Sequence, residues 1–138
     1  MVIRGAVALV AALGLVGAAA ACTNRQASPN REGHPGTATA SLVGGVQQVT
    51  LTVDASFRFD PSKITVHPGT VKVTLVHKGS GAPHDFSVVG FPSDNVPLVS
   101  AGHSTSATFT TPSPGSYSFI CTIHQAQGMT GTLVVLPN

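Results

Sequence analysis

The sequence predicts an all-β domain, an antiparallel sandwich or barrel, and three observations carry that expectation. Apolar residues alternate with polar ones in short runs, Pro and Gly turns separate the runs at short intervals, and no stretch keeps helical spacing over a useful length. Val49, Leu51 and Val53 alternate with Gln48, Thr50 and Thr52, so one face of that strand is set for burial. Val71, Val73 and Leu75 repeat the pattern behind a Pro68-Gly69 turn. Phe86 and Val88 mark another run, as do Ala107 and Phe109. Tyr117, Phe119 and Cys121 share one face of a strand that begins after Pro114-Gly115, and Leu133 with Val135 close the domain. The 138 residues leave room for one domain, without internal repeats. A domain of this size has a modest core and gains from bound metal.

The chain ahead of Gln47 has a different character. Met1 to Ala21 reads as a secretion signal: Arg4 supplies the positive start, and Gly5 to Ala21 is uncharged and rich in Val, Leu and Ala. Gly14, Gly17 and the many alanines make it poor material for a permanent span, which needs ~20 strongly apolar residues, although a retained anchor stays open. At Ala19-Ala20-Ala21-Cys22 two processing routes are open. The junction resembles a bacterial lipoprotein signal, in which Cys22 is acylated, with Ala19 standing where that motif prefers Leu. It also satisfies the small-residue rule of ordinary signal peptidase. Lipidation is the favoured reading, because a free N-terminal thiol in an oxidising compartment has no evident purpose, and two acyl chains hold stably where one is marginal. Residues 22–46, rich in Asn, Ser, Pro, Gly and Thr, read as a disordered tether to a domain at residues 47–138, holding it about 25 Å from the membrane. The protein is thus expected outside the cytoplasm, on the outer face of the cytoplasmic membrane or in the cell envelope.

Charge excludes one class of partner. Seven basic residues against five acidic ones, with no basic run and no interleaved aromatics, give no footprint for nucleic acid. The two cysteines raise the possibility of a disulfide in an exported protein. Cys22 sits at the cleavage point, however, and Cys121 in an apolar-alternating strand. An unpaired thiol in an oxidising place asks for a chemical reason.

That reason lies in Gly115 to Gly131, GSYSFICTIHQAQGMTG, where Cys121, His124 and Met129 stand as C-x2-H-x4-M. A thiolate, an imidazole and a thioether in one loop are soft donors that select copper over magnesium or calcium. The strand delivers the thiol from the face of Tyr117 and Phe119, into the core, and Gly128 and Gly131 let the loop turn back. A second imidazole is available at His84, in PHDFSV, and two histidines and a cysteine with a weak axial methionine make a copper electron-transfer geometry. Singly, each residue has a plainer use: a buried cysteine is usually a small hydrophobe and a methionine a gap-filler. His67 and His103 sit in turn-like contexts and read as solvated loop residues, and His34 lies in the tether. Asp85 follows His84 on a strand and so points the other way, toward a turn or edge hydrogen bond.

From Gln47 to Asn138 the sequence resembles the cupredoxins, most closely the small plastocyanin-like members. The resemblance rests on FDPSKITVHPGTVKV (Phe59 to Val73), PHDFSV, the turn and strand around SPGSYSFIC, and the C-x2-H-x4-M loop. It implies a Greek-key β-sandwich of about eight strands with one type 1 (blue) copper near one end. It also implies His84, Cys121 and His124 as strong ligands, Met129 as the long one, and His124 as the electron port within an apolar docking patch. Gly81, Ala82, Pro83 and Phe91 are candidates for that patch by sequence proximity. Where many relatives place an Asn that hydrogen-bonds across to the cysteine loop, this chain has His77, a residue expected to tune the site through a hydrogen bond. The implied function is single-electron transfer between membrane-associated redox proteins, donor and acceptor, by a monomer. A copper-binding module for acquisition, delivery or tolerance is the alternative. An enzyme is not expected, since copper oxidases and nitrite reductases need a further catalytic copper and extra histidines.

Overall fold

The computed structural model describes residues 36–138; the leader, Cys22, His34 and the first part of the expected tether lie outside the described residues. Eleven strands follow in chain order: β1 (Thr37–Thr39), β2 (Ser41–Val43), β3 (Val46–Val53), β4 (Phe59–Asp60), β5 (Lys63–Val66), β6 (Thr70–His77), β7 (His84–Val88), β8 (Phe91–Val99), β9 (Ser104–Thr110), β10 (Gly115–Ile120) and β11 (Thr130–Val135). They form two sheets, one ordered β1-β5-β11-β10-β7-β8 and the other β2-β3-β6-β9 with β4 beside β3. The only helical piece among the described residues is a single 3-10 turn, Gln125–Gln127. None of their helices is long and apolar enough to cross a membrane.

The alternation read from the sequence decides the faces. In β6 Val71, Val73, Leu75 and His77 are buried while the residues between them are not. In β3 Val49, Leu51 and Val53 point inward in the same way. Between the sheets, the rings of Phe59, Phe86 and Phe119 lie with centroids 4.7 to 6.2 Å apart, all without exposed surface. Each such side chain contributes roughly 1.5–3 kcal/mol by leaving water. Phe119 and Phe86 lie on the strands that lead to Cys121 and His84, so the site is built beside a close-packed part of the core.

Four expectations need correction. The sheets are mixed rather than antiparallel: β5 runs parallel to both β1 and β11, and β3 runs parallel to β6. The chain crosses to the other sheet between such partners and can therefore return in the same direction. The described residues form eleven strands rather than about eight, because short ones join the edges. The tether ends earlier than residue 46, since β1 and β2 lie within it. Ala38 and Ala40 pack against the core there, and Gly36 and Ala40 exchange backbone hydrogen bonds with the Ser62–Thr65 segment. Small residues that look like linker in sequence suffice for an edge strand because its ladder bonds are made by backbone. Strand β8 escaped notice because Pro92 and Pro97 interrupt its pattern. It sits at a sheet edge with irregular register, where proline is tolerated.

Gly131 also plays a different part from the one expected. It is paired with Phe119 across β10 and β11, and a Cβ there would lie 2.2 Å from the Phe119 ring and 2.5 Å from the Ser62 carbonyl. The glycine makes room for the aromatic ring instead of turning the loop. The Gly131→Ala variant is expected to lose about 3 kcal/mol of stability through overpacking, measured by urea unfolding of the metal-free protein. A change below about 0.5 kcal/mol, the scale of a neutral surface substitution, would contradict that reading.

Candidate metal centre

All four sequence-selected ligands gather at one end of the sandwich. His84 opens β7, Cys121 follows the last residue of β10, His124 stands in the loop beyond it, and Met129 precedes β11. The β10–β11 ladder continues past the strands through a bond from the Cys121 amide to the Met129 carbonyl, 3.1 Å. Within the loop, the His124 amide donates to the Cys121 carbonyl and the His124 carbonyl accepts from the Met129 amide. Gly128 takes a left-handed conformation, φ 82°, which a side chain would resist. The seven residues between Cys121 and Met129 are thereby folded into a closed cap.

The donor atoms converge. His84 Nδ1 lies 3.1 Å from His124 Nδ1, and Cys121 Sγ lies 3.8 Å from the first and 3.5 Å from the second. A point equidistant from the three lies about 2 Å from each, near the length of a bond from a first-row metal ion to imidazole or thiolate. His84, Cys121 and His124 are the one group of metal-ligating side chains of this kind among the described residues. Cys121 and Met129 have no exposed surface, His84 none, and His124 is half-buried. Cys121 is a free thiol. Two imidazoles and a thiol, with a buried thioether closing the loop, form a candidate type 1 copper site, and the donor set fits that ion.

Groups around the ligands set their orientation. The Nε2–H of His84 donates to the Asp54 carbonyl at 2.9 Å, which leaves the Nδ1 lone pair facing the cluster. Asp85 points away from the site, as expected of a residue one step along the strand. Its carboxylate accepts from the Thr122 amide at 2.6 Å and from the Thr122 hydroxyl. The register that pairs Phe119 with Val88 and Ile120 with Ser87 brings Thr122 opposite Asp85, so the carboxylate continues a ladder that the backbones no longer make. One residue past each of two ligands, the two chains are clamped.

His77 is buried, but it does not reach the cysteine loop. Its Nε2 meets the Ala82 carbonyl at 2.9 Å, and its ring stacks on His84 with centroids 5.1 Å apart. The reason is its place at the end of β6, from which an imidazole is long enough to hold the Gly79–Pro83 turn. Phe91 is far from the centre, since it begins β8 beyond the other end of β7 and packs on Tyr117. Gly81, Ala82, Pro83 and Ile123 are exposed near the centre, and His67 and His103 are exposed loop residues. Sequence reasoning missed Asp54 and Phe57. The Phe57 ring lies 4.7 Å from that of His124 and 6.0 Å from that of His84, centroid to centroid. Neither carries a signal in sequence, because one acts through its backbone carbonyl and the other from a loop.

Comparisons with known proteins agree on the architecture. A family model described as a cupredoxin-like domain matches residues 8–135. Auracyanin-B of Chloroflexus aurantiacus is 52% identical over 42 residues, which are 29% of this chain and only 18% of that relative. The dithionite-reduced auracyanin of the photosynthetic bacterium Roseiflexus castenholzii superposes with a TM-score of 0.58 at 24% identity, over 65% of this chain and 97% of that one. A mutant fern plastocyanin, solved oxidised and reduced, gives 0.50 at 30% identity, over 63% and 99%.

Electrostatics follow from burial. Loss of water pushes the Cys121 thiol up and the His84 imidazole down, favouring the neutral form of each. The Ser56 hydroxyl and amide hold the Asp54 carboxyl below the usual carboxylate range. With the His84 value depressed in the folded state, the unfolded chain takes up that proton first as pH falls. This contribution to stability is therefore complete above about pH 6.5, the ordinary histidine value, and is lost below it. The urea midpoint of the metal-free protein should fall between pH 7 and pH 5, and less steeply in His84→Gln. Because the thiol is protonated near neutrality, each copper taken up should release about one proton in weakly buffered solution; no release would mean that the thiol is not a ligand.

Proposed function

The chain belongs to the cupredoxin-like domain family, and from that premise we propose that it carries single electrons between membrane-associated redox partners through one copper held by His84, Cys121, His124 and Met129. The observation that carries this reading is the convergence of a buried thiol and two imidazole nitrogens at a point where only one ring, His124, reaches the surface. Copper, when bound, supplies the Cu(I)/Cu(II) couple. Cys121 and His84 are held by the Asp85–Thr122 clamp and the Asp54 carbonyl, so one arrangement of donors serves both oxidation states and little reorganisation accompanies a transfer. Burial of the thiol excludes water from the centre. Two of the similar structures were solved in reduced form, or in both forms, which supports a redox cycle here.

The half-buried His124 is the exit for the electron. Around it Gly81, Ala82, Pro83 and Ile123 offer an exposed uncharged surface that suits apolar docking of a donor and an acceptor. Four side-chain donors leave no coordination position for a substrate, so the protein acts as a carrier and not as an enzyme. The copper-delivery alternative uses the same ligands, but a buried, clamped donor set suits retention over release. Acylation of Cys22 after export would hold the monomeric domain at the outer face of the cytoplasmic membrane or in the cell envelope.

Cu(II) added to the metal-free protein should give an intense thiolate-to-copper absorption band. That band should be absent in Cys121→Ser and should bleach and return through a redox titration. A colourless complex would reject the type 1 site, and irreversible loss of copper on reduction would favour delivery over electron transfer. Growth in labelled fatty acid should label the wild-type protein and leave Cys22→Ala unlabelled; no label on the protein carrying Cys22 would defeat the anchor.

A further inference from the structure

Resting on that copper reading, we infer that Phe57 is the positioning residue for His124, holding the exposed imidazole in its ligating pose and slowing loss of the metal. The two histidine ligands are not supported alike. His84 is tied by its Nε2–H to the Asp54 carbonyl and backed by the stacked ring of His77. Among the described residues, the His124 ring makes no hydrogen bond outside the donor cluster itself. What restrains it is the ring of Phe57, 4.7 Å away and tilted by 53°, together with the edge of His84 at 4.8 Å. A half-buried imidazole with one free side would otherwise turn outward to water.

The chain holds Phe57 there against its own preference. Its φ of 55° lies in the left-handed region, and it is the only non-glycine residue there among the described residues. The turn that imposes this conformation is built from its neighbours. Asp54 Oδ1 accepts from the Ser56 amide at 2.8 Å and from the Ser56 hydroxyl, and the Asp54 carbonyl accepts from the Phe57 amide at 3.3 Å. That carbonyl is the acceptor of His84 Nε2–H, so one turn orients both imidazoles, one by hydrogen bond and the other by ring packing. On its outer side Gly81 packs against the turn, where a Cβ would meet that of Ala55 at 3.1 Å. The Asp54–Phe57 turn is therefore a strap across the imidazole side of the centre, and Phe57 is its contact with the ring that has no hydrogen bond outside the donor cluster.

Phe57→Gly separates positioning from folding, because glycine relieves the left-handed backbone while deleting the ring. In the full chain, the metal-free variant should still unfold in one cooperative thermal transition, because relief of the left-handed backbone offsets part of the packing lost with the ring. Its copper should pass to an excess of chelator at least about tenfold faster, the scale at which loss of a supporting contact weakens a metal site. Loss of the Phe57 ring current should shift both imidazoles, but the His124 ring resonances of the metal-free protein should also broaden as that ring samples other poses, while those of His84 stay sharp. Phe57→Leu, which keeps bulk without a flat face, should fall between the two. Copper release at the wild-type rate in Phe57→Gly, or His124 ring resonances that stay sharp, would overturn the inference. A wild-type protein without the thiolate-to-copper band would instead remove the copper reading on which it rests, so the two failures are distinguishable.

Discussion

Everything at the functional end depends on the hydrogen bond that joins the Cys121 amide to the Met129 carbonyl. Two strands that have paired from Gly115 with Val135 to Ile120 with Thr130 are held together for one step more, and the seven residues between have to fold within that mouth. Three of the four donors are thereby placed by local chain geometry. Only His84 has to be brought from elsewhere, and it arrives on β7, whose pairing with β10 is part of the same sheet. The site is the end of a ladder, and its precision is inherited from backbone hydrogen bonds that are stiff because they are buried.

The core beneath the ladder protects this arrangement. Phe119 lies two residues before Cys121 and Phe86 two residues after His84, so both ligand-bearing strands are anchored by large rings facing Phe59. Gly131, opposite Phe119, yields its own side-chain space to that ring. Such packing resists volume change, so the positions of the candidate donor atoms are held. The same density raises the energy of charged forms, which is why the Cys121 thiol and the His84 imidazole both favour neutrality in the folded chain.

Support for the ligands is graded from inside to outside. Cys121 and His84 are fixed by the clamp between Asp85 and Thr122, by the Asp54 carbonyl and by His77. His124 faces outward with packing alone. The electron exit proposed for His124 would use this asymmetry, because a ring buried and bonded on all sides would be insulated from any partner. The 54–57 turn therefore carries an outsized share of the site's order although it contributes no ligand.

The sequence by itself determined the faces of the alternating strands and pointed to the four residues of the candidate copper site. Period-two alternation reports which side of a strand is buried, and the spacing Cys121, His124, Met129 reports one loop, since both are properties of neighbouring residues. Tertiary structure alone decided what long-range pairing decides. It made strands of Thr37–Thr39 and Ser41–Val43, whose few apolar atoms would never hold them alone. It turned His77 to the Ala82 carbonyl and put Phe57 against His124, contacts between segments that share no local pattern. Burial and close approach across sheets depend on where distant chain segments meet, and periodicity along the chain carries no record of that.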